Sequence, residues 1–135
     1  MAAHTDLGNF GEQWIAAILG DIAPVEPGAR ADLRFLGLEL EIKTARPRPY
    51  RSGNDLGYQF CLTRDGHTDH TKADIVILLC LTPDLTIYPY IIPAGQIGDR
   101  RKIVIPTPDP ETYTGQWSPW LAKWEILANP NQKGA

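Results

Sequence analysis

The strongest constraint on how this chain can fold lies between Ala31 and Ala45. Leu38, Leu40 and Ile42 alternate there with Glu39, Glu41 and Lys43, the period-two pattern of a strand with one apolar and one charged face. Gly37 interrupts the pattern, and the residues before it, Ala31 to Leu36, form a second extended run. A glycine between two such runs predicts a hairpin. The hairpin carries Asp32 onto the strand beside Glu41, with Lys43 one pleat further on the Glu41 face.

Two carboxylates a few ångströms apart repel unless one takes a proton or a cation sits between them. Hard divalent cations such as Mg²⁺ use one or two carboxylates, water and phosphate oxygens, a donor set that Asp32 and Glu41 can begin. Lys43 can then orient an attacking water or offset charge that builds on a phosphate. The same spacing also fits an exposed strand face carrying Glu/Lys ladder pairs, and the hairpin alone does not choose between the two.

A chain of 135 residues, 43% hydrophobic and 21% charged, fits one ordinary globular domain with its own core. We place that domain at 1–128 and a disordered tail at 129–135. The net charge of −3 supplies no general attraction for nucleic acid, so any such contact needs a local basic patch. Cys61 and Cys80 sit inside apolar runs without metal-ligand spacing and read as buried thiols of a reducing compartment. With no bilayer-length apolar run and no signal-peptide pattern at the N-terminus, the sequence points to the cytoplasm and away from membranes.

Along the chain, Thr5 or Asp6 caps a predicted helix that ends at Gly20. Leu7, Gly11, Trp14, Ile15 and Ile18 share its apolar stripe, with Phe10 and Leu19 at the edges and Glu12 at the border. Glu12 reads as a solvated surface residue unless this helix packs beside the hairpin. Residues 21–30 read as a loop. The stretch 44–53 holds Arg46, Arg48, Arg51, two prolines and Tyr50 without an acid. It reads as an extended loop suited to phosphate and base contacts, or equally as a solubilising surface loop. Gly57 to Arg64 reads as a strand on which Gln59 and Cys61 face away from Phe60 and Leu62. His67, Asp69 and His70 invite a zinc reading, but a loop rarely fixes three ligands unaided; phosphate contacts suit it better.

Ala73 to Leu81 is nearly continuous apolar sequence and reads as a buried central strand, with Asp74 as a structural cap at its mouth. Ile87 to Pro93 is an edge strand by its prolines. A helical turn follows in 94–100, then a short strand over 102–105. Ser118-Pro119 opens a second predicted helix through Leu127, with Trp117, Trp120 and Trp124 on a stripe that suits a core or a subunit interface.

A helix with Glu12, a strand with Asp32 and a strand with Glu41-Ile42-Lys43 resemble, in that order, the PD-(D/E)XK nuclease superfamily. Gly11-Glu12 is similar to the helical glutamate of many members, and Ala31-Asp32 stands where a Pro-Asp pair is usual. The Glu-x-Lys half is complete. Phe60 to Arg64, the strand led by Asp74, Tyr90 to Ala94 and the Trp-rich end extend the likeness over roughly residues 8–127. They resemble small stand-alone endonucleases, among them a homing-endonuclease branch and the Holliday junction resolvases.

The resemblance implies an α/β (α+β) restriction-endonuclease-like core, a central mixed sheet flanked by an N-terminal and a C-terminal helix. Its members usually have a helix crossing over after the third strand, for which only 65–72 is available here. It also implies Mg²⁺-dependent hydrolysis of DNA phosphodiester bonds, with Mn²⁺ as an alternative cation. Asp32, Glu41 and the Ile42 carbonyl would hold the metal, Lys43 would position the water, and Glu12 and Gln59 would assist. Arg46, Arg48, Arg51, Arg64 and Lys72 are the expected DNA contacts, and a double-strand cutter implies a homodimer or higher homo-oligomer. The alternatives are a Holliday junction resolvase-like nuclease and an inactive nuclease fold that binds DNA or protein.

Overall fold

In the computed structural model, which describes residues 2–50, 55–64, 67–68 and 72–128 (the backbone alone at 2–5, 63–64 and 67–68), helix α1 (Ala2–Gly20) comes first. Strands β1 (Val25–Pro27), β2 (Leu33–Phe35) and β3 (Leu38–Ala45) follow, each antiparallel to the one before. Next come β4 (Arg48–Pro49), β5 (Leu56–Cys61), β6 (Thr63–Arg64) and β7 (His67–Thr68). β8 (Ile75–Leu81) enters parallel to β3, β9 (Ile87–Pro93) returns antiparallel to β8, and β10 (Lys102–Ile105) pairs with β5. The main sheet has the order β1-β2-β3-β8-β9, beside a smaller sheet β10-β5-β4 and the β6-β7 hairpin. The expected central mixed sheet and N-terminal helix are present.

The predicted hairpin turns at Leu36 and Gly37, both with positive φ (51° and 80°). Two left-handed residues give the turn whose twist matches that of the flanking strands. Glycine meets that demand without strain at the second position. β3 and β8 sit in the middle of the sheet, and every residue of β8 is buried, as its unbroken apolar run requires. One face of the sheet, carrying Leu38, Leu40, Ile42, Ile75, Ile77 and Leu79, packs on Ile15 and Leu19 of α1. The other, with Val76, Leu78, Tyr90 and Ile92, packs on Tyr58, Phe60, Ile103 and Ile105 of the small sheet. The domain is therefore a helix, a sheet and a second sheet in layers.

α1 begins at Ala2, so Thr5 and Asp6 lie inside it rather than capping it. Its fully buried row is Gly11, Ile15 and Leu19, spaced four apart, while Phe10 stays 44% exposed. Leu19 is thus central to the stripe rather than at its edge. Gly11 lets the helix approach β3, since a Cβ there would collide with Thr44 Oγ1 and press on Leu79.

Several expectations need correction. Residues 21–30 contain β1, because Val25–Pro27 pair along Leu33–Phe35. The strand expected over 57–64 splits into β5 and β6. Among the described residues between β3 and β8 there is no crossover helix of the kind the resemblance implies; the described part of the connection holds β4 to β7, short strands that return the chain to a parallel partner. The C-terminal helix is replaced by two 3₁₀ turns, Ser118–Trp120 and Trp124–Ile126. Between them Leu121 bridges Tyr90, the Ala122 amide donates to the Pro89 carbonyl at 2.7 Å, and Ala122 has a φ of 54°. Pairing with the β9 edge wins over helix propensity there, and it covers an otherwise open sheet edge. The tryptophans accordingly spread out: Trp117 joins the core on the small-sheet side, while Trp124 meets Trp14 of α1 at 6.3 Å between ring centroids. Cys80 is buried as expected, but Cys61 is exposed because it alternates outward from Phe60 and Leu62. The predicted tail, 129–135, lies outside the described residues.

Two helical glycines separate packing from propensity. Gly11→Ala should lower the unfolding free energy by roughly 1–3 kcal/mol, the usual cost of overpacking. Gly8→Ala, with nothing within 4 Å of its added methyl, should raise it by up to about 1 kcal/mol. Urea denaturation of both variants measures the contrast.

Candidate active site

The site forms where β2 stops covering β3. Leu33 pairs with Leu40, yet the Asp32 amide also donates to the Leu40 carbonyl at 3.0 Å. Two residues of one strand then stand against one of the other, the arrangement of a β-bulge, which turns a side chain out of its regular direction. The turned side chain is Asp32, whose Oδ2 accepts the Ile42 amide at 2.8 Å. In a strand the N–H and C=O of one residue point to the same edge. The Ile42 carbonyl therefore also faces the edge that β2 has left.

Glu39, Glu41 and Lys43 lie on one face of β3 as the alternation predicts, but β3 is covered and the acids are buried, at 1% exposure for Glu39 and 5% for Glu41. An unpartnered buried carboxylate costs several kcal/mol. Glu39 meets that demand with four donors: the amides of Ala29, Arg30 and Ala31 at 3.3, 2.8 and 3.0 Å, and Arg34 Nε at 2.9 Å. These donors, the Arg30 amide foremost, hold its carboxyl down to about pKa 2 against the opposing effect of burial. Glu39 is thus structural, and it anchors the 29–31 loop immediately ahead of Asp32. Asp74 is structural too, as expected: its Oδ2 accepts the Glu39 amide at 2.9 Å and sits 3.7 Å from the Arg30 guanidinium.

Glu41 and Lys43 behave differently. They form an ion pair at 3.4 Å and both line a cleft of about 750 Å³. The cleft also takes in Glu12, Asp32, Ile42, Gln59, Arg46 and Arg48. Because α1 packs on β3, Glu12 comes close enough to Asp32 to be affected by its charge. Burial first, and the Asp32 carboxylate second, push the Glu12 carboxyl above the usual range. Gln59 faces the cleft as expected, and its Nε2 donates to the Pro49 carbonyl at 3.0 Å, tying β4 to the cleft wall.

Of the expected DNA contacts, Arg46 and Arg48 border the cleft, and Lys72 is exposed but not part of its lining. Arg51 and the Arg64 side chain lie outside the described residues, as do Asp69, His70 and the His67 side chain. Sequence reasoning missed Asn9 and Cys61, which also line the cleft. Asn9 stands one helical turn before Glu12, a spacing that could have singled it out.

Among the described residues no three His, Cys, Asp or Glu side chains gather closely enough to hold a metal ion. The donor set instead comprises two carboxylates, Asp32 and Glu41, with a strand-edge carbonyl at Ile42. It opens on the cleft and suits a hard cation that keeps several waters.

Glu39 gives the site an acid signature. A carboxyl held low in the folded state contributes its full stabilisation above the unfolded value of 4.5 and loses it as pH falls through the folded value. The stability difference between wild type and Glu39→Gln should therefore be constant at neutral pH and shrink between about pH 4.5 and 2. Urea midpoints measured along that range give the difference curve.

No protein-family model and no curated protein sequence matches the chain. Among solved structures it is similar to that of a bacterial homing endonuclease, I-Ssp6803I. The superposition has a TM-score of 0.56 over 92% of this chain and 91% of that one, at 16% sequence identity. At that identity the likeness is one of fold, and the shared architecture is a mixed α+β domain with a five-stranded mixed sheet and a helix against it. No helix among the described residues is long and apolar enough to cross a membrane.

Proposed function

We propose that the protein is a Mg²⁺-dependent DNA endonuclease of the PD-(D/E)XK type, acting as a homodimer or higher homo-oligomer. One observation carries the reading: Asp32, Glu41, the open β3 edge at Ile42 and Lys43 line a single cleft whose rim holds Arg46 and Arg48. The fold shared with a homing endonuclease supports it. The net charge of −3 favours a duplex over a four-way junction, whose broader contact suits a basic surface.

In this reading Asp32 and Glu41, with the Ile42 carbonyl, hold the cation, which when bound supplies Lewis-acid activation of water and of the scissile phosphate. The protein's own groups do the rest. Lys43, held beside Glu41 at 3.4 Å, orients the attacking water and offsets negative charge that builds on the phosphate. Glu12, its carboxyl raised by burial first and by Asp32 second, lies close enough to Asp32 to help hold a cation's waters, and a cation bound there would relieve the repulsion between the two. Arg46 and Arg48 bind the flanking phosphates and fix the strand in the cleft. Gln59, through Pro49, keeps that basic wall in place.

Glu41→Ala and Lys43→Ala should remain folded and bind DNA while cleaving at least about a hundredfold more slowly, in the range lost when a group that stabilises charge in the transition state is removed. Supercoiled and linear duplex incubated with Mg²⁺ or with EDTA give the readout. Cleavage at the wild-type rate by either variant contradicts the assigned roles, and cleavage in EDTA contradicts the metal.

Metal binding has a readout independent of cleavage. Mg²⁺ at ten times its dissociation constant should stabilise the fold by about 1.4 kcal/mol, a rise of roughly 4 °C in Tm. Asp32→Asn should abolish the rise, because it removes one of the two anionic donors.

A further inference from the structure

β5 and β10 form an antiparallel ribbon, and its registers sort the side chains of the small sheet. Lys102 pairs with Cys61 and Val104 with Gln59, while Arg48 pairs with Gly57 on the other side of β5. Directly paired residues share a face, and residues two apart on one strand share it too. Arg48, Gly57, Gln59, Cys61, Val104 and Lys102 therefore lie on one side of the small sheet. Tyr58, Phe60, Ile103 and Ile105 lie on the other, buried against the main sheet. Arg48, Cys61 and Lys102 are exposed, and Gln59 and Cys61 also line the active-site cleft. The outward face carries two cations and an amide along its length, with one acid, the exposed Asp55 opposite Tyr50, at its far end, in a chain whose net charge is −3. It continues the cleft past Arg48 and Gln59, which the sequence singled out, to Val104 and Lys102, which it did not.

We infer that this outward face of the small sheet is the duplex-reading surface of the protein: the β5-β10 ribbon lies in the major groove while the adjoining cleft receives the backbone. The inference rests on the nuclease reading for its choice of DNA as partner. The choice of duplex comes from the side chains. Surfaces that hold unpaired strands stack bases on exposed aromatic rings. On this ribbon the aromatics Tyr58 and Phe60 are turned inward, at 0% and 2% exposure. Tyr50, the aromatic at the far end, is half-buried and packs its ring where a Cβ on Gly57 would stand. Apart from Val104 and the half-buried Tyr50 ring laid over Gly57, what points outward is hydrogen-bonding and cationic: arginine, glutamine and lysine, the groups that read base edges and phosphates of a duplex. A two-stranded ribbon, with its axes ~5 Å apart, also fits the ~12 Å width of that groove. Lys102 and Val104 thereby join the binding surface as the cross-strand neighbours of Cys61 and Gln59.

Cys61 supplies the probe. It is exposed at the end of the face that Lys102 marks, as the last residue of β5, whereas Cys80 is buried and its thiol pushed well above the usual range, so Cys80 serves as an internal control. The wild-type protein is alkylated with N-ethylmaleimide in EDTA and low salt, alone, with a 30-base-pair duplex, and with one of its single strands. Each DNA is present at ten times its measured dissociation constant, and modification is followed by mass spectrometry. The duplex should slow Cys61 alkylation about tenfold, as the unbound fraction falls, and the single strand should slow it by less than twofold. Lys102→Glu should weaken duplex binding about tenfold and lower the salt slope by about one contact, with the Tm unchanged as evidence of folding.

Equal protection by both DNAs, or no protection at saturating duplex, overturns the inference. So does unaltered duplex affinity in Lys102→Glu. The nuclease reading fails separately: protection of Cys61 without cleavage in Mg²⁺ or Mn²⁺ removes the enzyme and keeps the surface, whereas cleavage without protection does the reverse. Absence of any DNA binding removes both.

Discussion

Because β2 pairs with β3 only as far as Leu33 opposite Leu40, the amide of Ile42 has lost its strand partner, and the Asp32 carboxylate takes it at 2.8 Å. A backbone donor left unsatisfied at a half-covered strand costs about as much as a lost hydrogen bond. A side chain that satisfies it is thereby held in place. The bulge at Asp32, the carbonyl edge at Ile42 and the cleft in front of β3 all follow from that termination of pairing. Had β2 continued, its backbone would occupy the edge, and the alternating acids of β3 would border a closed sheet.

Burial then divides the acids of β3 between two tasks. Glu39 and Glu41 are two residues apart on the same face, and the alternation pattern by itself treats them alike. Glu39 lies where the 29–31 loop can turn three amides onto it, and its charge is used up in holding that loop. Glu41 lies one pleat further along, beyond the loop and beside Lys43. Its surroundings are a cleft lined by Glu12, Asp32 and two arginines. Burial first, and the Asp32 carboxylate second, raise the protonation tendency of Glu12, and the second of these is the repulsion a cation would relieve.

The chain between β3 and β8 does double service. A parallel pair needs a long return path, commonly helical. Here the described part of the return includes short strands, which cover one face of the main sheet with Tyr58 and Phe60 and turn Gln59 and Cys61 toward the cleft. The basic segment that carries Arg46 and Arg48 is the first part of that path, so the wall of the cleft and the second core layer are one continuous piece of chain.

Much of this was legible in the sequence, because period-two alternation depends on local geometry. The hairpin at Gly37, the buried run that became β8, the proline-marked edge strand β9 and the shared face of Glu41 and Lys43 needed no tertiary information. The acids of the hairpin and the arginines that follow it, Arg46 and Arg48, pointed to the cleft that the structure assembles. Tertiary packing decided what local patterns cannot encode. Ser118 to Leu127 had helical spacing, yet pairing of Leu121 and Ala122 with the β9 edge outweighed propensity differences of less than about 1 kcal/mol per residue. Cys61 sat in an apolar run but faces outward, since exposure follows strand register rather than composition. The separate fates of Glu39 and Glu41 depend on which loop amides reach each carboxylate, and that is fixed only when α1, the hairpin and the small sheet come together around β3.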